Sequence, residues 1–219
     1  WVLLGCGSVG SKIAIHLARS GAGPALLVDK ARIAPHNYAR HSLLPETAEH
    51  PIFSPFKSSL LAADLGRFLQ SPDQDSSDIL SLITTEDGKK KLAAYASSIL
   101  LNTTASTVVR EVLSASEWPD RPRICEAHLL GAGQSAYAAF EGPKGNPNLS
   151  DLAAESYRHI ASDKRLRSVV FSAEAEAISI GQGCSALTFP MPDYKLSSLT
   201  AGLAQVFAQH LQASAKGVG

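Results

Sequence analysis

Val2-Leu3-Leu4-Gly5-Cys6-Gly7-Ser8-Val9-Gly10 opens the chain with a short apolar run that breaks into a glycine-rich turn. From Ser11 to Ser20 the pattern is helical. Val9, Ile13 and Leu17 recur at four-residue spacing on one face, with Lys12, His16 and Arg19 on another. Gly21, Gly23 and Pro24 stop that helix. Ala25 to Val28 is a second apolar run, closed by Asp29. Strand, helix and strand joined by connections this short form a βαβ unit, which requires a parallel pair with a right-handed crossover.

The alternation continues outward from this unit. Lys30 to Pro55 is rich in Pro, His and Asn and predicts a long loop with one helical turn. Phe56 to Leu69 resumes helical spacing through Leu60, Leu61 and Leu65. Ser71 to Ser77 predicts a polar turn, and Asp78 to Ile83 a strand. A helix is expected from Thr85, with Glu86 and Asp87 suiting its dipole and Lys89 to Lys91 forming a solvated face. Ser98 to Leu101 is an apolar strand, and Thr107 to Ala115 the helix after it. Arg123 to Glu141 holds two strands on either side of Gly131-Ala132-Gly133, a hairpin signal. Asp151 to Ala161 is helical. Arg165 to Gln182 is ambiguous. In Tyr194 to Leu211 the residues Leu196, Leu199, Leu203, Val206 and Phe207 make a stripe facing the core. The expected fold is α/β, Rossmann-like and doubly wound, with a mainly parallel sheet and an antiparallel strand pair at its later edge.

Composition narrows the function. The 219 residues carry 20 basic and 20 acidic side chains, which argues against a polyanion grip: no nucleic acid and no membrane surface is the expected partner. A 45% hydrophobic content supports one substantial core. Three cysteines, Cys6, Cys125 and Cys184, make no disulfide framework, so a cytoplasmic location is expected. The chain opens at Trp1 inside a strand-like run, without Met, and reads as a single domain, 1–219, cut from a longer polypeptide.

The glycine turn carries the first chemistry. Gly5 allows the tight turn, Gly7 lets a phosphate approach the backbone, and Gly10 lets helix and strand pack closely. The helix N-terminus offers unpaired N–H groups to phosphate. Asp29 follows Gly10 by 19 residues at the end of the second strand, placed to accept hydrogen bonds from ribose hydroxyls. NAD, FAD and ATP domains all use such a unit. Beyond Asp29 come Asn37, Arg40 and Lys57, a set able to surround a triphosphate and neutralise the charge of departing pyrophosphate.

At these residues the chain resembles the ThiF/MoeB/ubiquitin-activating enzyme superfamily of ATP-dependent adenylyltransferases. Gly5-Cys6-Gly7-Ser8-Val9-Gly10 is similar to its glycine loop and Val28-Asp29 to its strand ending in an acid. Asn37-Tyr38-Ala39-Arg40-His41 is similar to its Asn-x-x-Arg-Gln segment, with His41 in place of Gln, and Lys57 matches its lysine on the next helix. Leu101 to Ser106 with Arg110 resembles its strand-end segment, and Arg121 to Glu141 the following strand pair.

The resemblance implies a domain that binds ATP through Gly5, Gly7, Gly10, Asp29, Asn37, Arg40 and Lys57. It implies activation of the C-terminal carboxylate of a ubiquitin-like or sulfur-carrier protein. Arg40 and Lys57 would stabilise the transition state, and a cysteine would in many members receive the acyl group. Members usually form homodimers or pseudo-dimers, and some receive an arginine from the partner subunit.

Two departures stand out. The superfamily's Asp-x-x-Asp-Asn is replaced by Asn102-Thr103-Thr104-Ala105-Ser106, so Asn102 and Ala105 stand where Mg²⁺ would look for carboxylates. Either another acid serves, or the chain binds ATP without efficient turnover. Paired Cys-x-x-Cys zinc motifs are absent, so no zinc is expected and no residue is assigned as a metal ligand.

Cys6 reads as a small residue packed under the turn and Cys125 as a buried hydrophobe, which leaves Cys184, in Gly181-Gln182-Gly183-Cys184-Ser185, as the candidate acceptor. His128, His159 and His210 read as core or surface residues. Two further classes remain open: a non-catalytic nucleotide- or carrier-binding scaffold, and an NAD-dependent oxidoreductase.

Overall fold

The computed structural model describes residues 1–45, 54–95, 99–118, 120–171, 178–179, 187–188 and 191–216. The first βαβ unit forms as the sequence predicts: β1 (Val2–Leu4), α1 (Ser8–Ala18) and β2 (Leu26–Val28), with β1 and β2 parallel in the register Val2 to Leu26. After β2 come a 3-10 turn (Pro35–Ala39), α2 (Lys57–Gly66), β3 (Asp73–Asp75), α3 (Ile79–Thr84) and α4 (Glu86–Tyr95). The second half runs β4 (Ile99–Asn102), α5 (Thr107–Ala115), β5 (Arg123–Leu130), β6 (Ser135–Phe140), α6 (Leu149–Ser162) and α7 (Lys164–Val170). A two-stranded pair, β7 (Ile178–Ser179) and β8 (Leu187–Thr188), precedes α8 (Asp193–Lys216).

One six-stranded sheet, ordered β3-β2-β1-β4-β5-β6, is parallel except for the antiparallel β5–β6 pair. Strand order reverses between β1 and β4, so their carboxyl ends open a crevice beside the glycine turn.

Alternation along the strands divides the core in two. Leu3, Leu27, Leu101 and Cys125 face α1, α2 and α8, whose Ile13, Leu17, Leu61, Leu65, Leu203 and Phe207 cover them. Val2, Leu4, Val28, Leu100 and Ile124 face the other way, onto Ile83, Leu92, Val109, Leu113 and Leu149. Strands buried on both faces read as continuous apolar runs, which is why Val2 to Leu4 and Leu26 to Val28 look alike. Each fully buried Leu contributes roughly 1.5–3 kcal/mol.

Three local expectations are corrected. Asp73-Gln74-Asp75, read as part of a polar turn, is an edge strand. It pairs through main-chain atoms, with Asp73 N donating to Ala25 O (2.9 Å) and Asp29 N to Asp75 O (3.0 Å). Charged side chains suit an edge because they discourage pairing with another chain. Asp78 to Ile83 is a helix instead of a strand. Asp78 caps it by accepting from Leu80 N (2.8 Å), and Ile79, Leu82 and Ile83 have the i, i+3, i+4 spacing of a helix face. In the α8 stripe Leu196, Leu203 and Phe207 are buried, but Val206 is 39% exposed because it lies one position off the face.

The Lys89 to Lys91 run is less solvated than expected: Lys91 Nζ holds buried Asp75 at 2.7 Å, and Lys89 pairs with Glu86. Among the described residues no helix is long and apolar enough to cross a membrane.

Candidate functional site

The glycine turn sits at the crevice, and its geometry accounts for each glycine. Gly5 has φ +93°, a region that L side chains rarely adopt. A Cβ on Gly10 would stand 2.1 Å from Gly5 O and 2.5 Å from Thr103 Oγ1, so α1 closes on the turn only with glycine there. Above Gly7 the space is open, and a Cβ at that position would meet nothing within 4 Å. No side chain caps α1, and its first turn holds no acid, so its amides and dipole face the crevice.

Two side chains grip Cys6, at the centre of the turn, from opposite sides. Asp29 Oδ2 accepts from Cys6 N (2.7 Å) while Oδ1 accepts from Ala31 N (2.7 Å). His41 Nε2 lies 2.7 Å from Cys6 O, and His41 Nδ1 accepts from Leu43 N (3.2 Å). The second bond makes Nδ1 the acceptor, so Nε2 carries the proton and donates to the carbonyl. Burial pulls His41 down to about 4, opposed by the bond to Cys6 and reinforced by the charges of Lys57 and Lys12. The imidazole is therefore neutral at neutral pH. One donor and one acceptor on a neutral side chain is also what a glutamine amide offers.

Lys57 opens α2. Its placement follows from hydrogen bonds between Pro55 and the start of α2 on one side and the segment after β2 on the other: Ile33 N donates to Pro55 O (3.0 Å), Lys57 N to Ala31 O (2.9 Å) and the Ser58 hydroxyl to Asp29 O (3.1 Å). The Lys57 residue is only 9% exposed, and its charge is felt at both Cys6 and His41. Arg40 directly precedes His41 and is half-buried; burial lowers it from the ordinary guanidinium range, and it stays charged. Asn37 lies in the 3-10 turn, where its Oδ1 accepts from Ala34 N (2.9 Å).

The structure thus gathers Gly5, Gly7, Gly10, Asp29, His41 and Lys57 on one turn, with Asn37 and Arg40 on the adjoining segment. Cys184 lies outside the described residues. Cys6 and Cys125 are both buried, and desolvation raises both thiols, which makes them inert. His128 is buried, His159 is exposed, and His210 stacks on Phe140 at 3.7 Å between ring centroids.

Several contributors escape a reading of the sequence. Thr103 Oγ1 donates to Gly5 O (2.6 Å), bolting the β4 end to the glycine turn across a separation of 98 residues. Lys12 is buried and reaches Asp193 Oδ1 (2.8 Å) and Ser197 Oγ (3.0 Å), fastening α8 to α1. Beside Asn102, in parallel register, stands Glu126, 1% exposed. Arg110 Nη1 approaches Glu126 Oε2 at 3.6 Å, and desolvation still raises the Glu126 carboxyl against the pull of Arg110. His128 Nδ1 is 3.7 Å from Glu126 Oε1, but burial and the Arg110 charge pull His128 down to about 4, so this approach is not an ion pair.

These residues do not fit Mg²⁺. The Asn102 carbonyl oxygen is spent on Thr104 N (3.1 Å) and Thr104 Oγ1 (2.7 Å), and its unpartnered Nδ2 is a donor that repels a cation. Ala105 offers no side-chain oxygen, and Glu126 is buried against Arg110. Among the described residues no group of three His, Cys, Asp or Glu side chains is placed to hold a metal.

A glycine turn at the switch point of a doubly wound sheet, with an acid after β2 and the buried Lys57 near enough for its charge to act on Cys6 and His41, defines a Rossmann-like α/β domain. Comparison with solved structures places it next to Escherichia coli MccB, seen with AMPCPP and MccA. The TM-score is 0.60 at 14% identity, over 95% of this chain and 54% of that one. MccB with ATP matches with TM-score 0.57, at 14% identity over the same shares. E. coli TcdA, the tRNA N6-threonylcarbamoyladenosine dehydratase, in complex with AMP, matches at TM-score 0.52 and 18% identity, over 100% of this chain and 87% of that one. The chain spans about half the length of MccB. No family model and no curated protein sequence matches it.

Proposed function

We propose that this chain is an adenylyltransferase-type domain that binds ATP at the glycine turn and activates a carboxylate. The observation that carries the reading is the convergence of Asp29, His41 and Lys57 on one turn whose outer face, over Gly7, is open. The similarity in fold to MccB and TcdA, seen with AMPCPP, ATP or AMP, supports the same reading. In this assignment the α1 N-terminus and the Gly7 amide receive phosphate, and Asp29 keeps lone pairs for ribose hydroxyls. Lys57 and Arg40 offset phosphate charge, and Asn37 orients the chain of phosphates. A carboxylate oxygen attacks the α-phosphorus, the bond to the bridging oxygen breaks, and pyrophosphate leaves.

The substrate class is the C-terminal carboxylate of a ubiquitin-like or sulfur-carrier protein, with Cys184 as acyl acceptor and a homodimer or pseudo-dimer as the working assembly. A cytoplasmic setting goes with these partners. The test is pyrophosphate exchange into ATP with a candidate carrier present; no exchange in the full-length protein overturns the reading. Cys184→Ser should abolish a thiol-cleavable thioester conjugate with the carrier, and persistence of that conjugate removes Cys184 from the scheme.

A second reading, a nucleotide-binding scaffold without turnover, is favoured by Asn102 and Ala105. Saturable ATP binding without exchange selects it. An NAD-dependent oxidoreductase is separated from both by equilibrium titration, in which NAD would bind more tightly than ATP.

A further inference from the structure

A second cleft, of about 500 Å³, lies between the segment that follows α5, the start of β5 and the loop after β6. Arg123, the first residue of β5, pairs with Ile99, the first of β4, whereas the glycine turn follows the last residue of β1. The cleft is therefore at the opposite end of the strands from the candidate nucleotide site.

Its lining is cationic. Arg121, Arg123 and Lys144 contribute to the wall, against one lining acid, the exposed Glu117. Glu141, directly behind, offsets Arg121, which leaves Arg123 and Lys144 as the net cations of the wall. It is fully buried, and both its oxygens are saturated: Oε1 by Arg121 Nη2 (2.9 Å) and Leu149 N (3.3 Å), Oε2 by Arg121 Nη1 (2.7 Å) and Ile124 N (3.3 Å). This bidentate clamp fixes the guanidinium plane of Arg121.

Two donors of residues that line the cleft, Arg121 Nε and Trp118 Nε1, are buried and have no partner among the described residues. Trp118 is only 7% exposed, so its N–H is held out of bulk water by the fold. Buried donors without acceptors are costly and uncommon in native proteins. The loop after β6 also packs tightly against this clamp. A Cβ on Gly145 (φ +71°) would meet Arg121 Nη1 at 2.7 Å, so glycine alone lets the loop press against the clamp.

The Arg123 guanidinium and the Lys144 ammonium at the cleft, with the buried and unpartnered Arg121 Nε and Trp118 Nε1 behind them, favour the same complement, an oxygen anion. We propose that this cleft binds the phosphate or carboxylate group of a small molecule, independently of the nucleotide site.

The chain has two tryptophans, so Trp1→Phe leaves Trp118 as a reporter in the cleft wall. In that background inorganic phosphate and succinate are titrated separately at constant ionic strength, following Trp118 emission. A saturable response to phosphate alone identifies a phosphorylated ligand, and one to succinate identifies a carboxylate. Lys144→Asn, chosen because Asn tolerates the φ of +57° at this exposed position, and Arg123→Gln should each weaken binding about tenfold.

No saturable response to either anion overturns the proposal. So does a response unchanged in both variants while circular dichroism shows them folded. A response lost in Lys57→Ala instead would put the anion at the glycine turn and overturn it equally.

Discussion

Protonation of His41 provides a quantitative test of how the glycine turn is held. In the folded chain burial pulls this imidazole from 6.5 to about 4; in the unfolded chain it titrates at about 6.5. The unfolded state thus binds the proton more readily, and acid favours unfolding. The stabilisation is fully present above about pH 6.5 and is lost as pH falls from there towards 4, below which both states are protonated. At pH 5 the unfolded imidazole is almost wholly charged and the folded one almost wholly neutral, so linkage sets the loss relative to pH 7.5 at about 2 kcal/mol. The side chain is nearly inaccessible, so solvent screening takes little from this figure.

His41→Gln keeps a donor for Cys6 O and an acceptor for Leu43 N but cannot titrate. Urea unfolding of parent and variant is measured at pH 7.5 and 5.0 at constant ionic strength. The parent should lose about 2 kcal/mol more than His41→Gln between the two pH values. His128, also pulled down to about 4, should show a similar difference in His128→Gln, and the two should add in the double variant. Equal losses in parent and His41→Gln would refute the buried, neutral imidazole.

Other substitutions probe neighbouring parts of the molecule. Gly10→Ala forces a Cβ against Gly5 O and should destabilise by ~2 kcal/mol or more, read as a lowered Tm, with ATP affinity falling alongside. Lys57→Ala should weaken ATP binding by a factor of about ten to a hundred, measured by titration calorimetry, while the Tm holds or rises because a largely buried cation is removed. Ala105→Asp replaces alanine at φ +53°, where Asp is better tolerated, and introduces a strand-end carboxylate. Pyrophosphate exchange with Mg²⁺ should rise at least tenfold, and an unchanged rate would favour the scaffold reading. Arg121→Met strands the buried Glu141 carboxylate without its cation and should cost about 3–5 kcal/mol by thermal melting.

The elements visible in advance were those whose burial is written in side chains. Val2 to Leu4 and Leu26 to Val28 are apolar throughout because both faces of a central strand are covered, and the glycines between them mark the turn. Asp73 to Asp75 carries no such mark. It is a strand only because its main chain completes the exposed edge of β2, and main-chain pairing leaves no trace in side-chain identity. The apolar residues from Ile79 to Ile83 fit a short strand as readily as one helical turn, and it is the Asp78 cap and the packing on α5 that decide.

The candidate site divides in the same way. Asp29 was legible because the βαβ unit puts the residue that ends β2 beside the glycine turn, whereas Lys57 was singled out by its charge and by the resemblance, and His41 as a departure from the resembled pattern. By itself the sequence determined the doubly wound class, the glycine turn and the local charge around it. All of these rest on spacing along the chain within a few dozen residues. Tertiary structure alone decided that Thr103 bolts the turn, that Lys12 ties α8 to α1, and that Glu126 is buried beside Arg110. It also formed the cationic cleft from segments flanking β5 and β6. Those contacts join residues that are distant along the chain, and their energies depend on burial and on which neighbour arrives, neither of which a residue's own identity encodes.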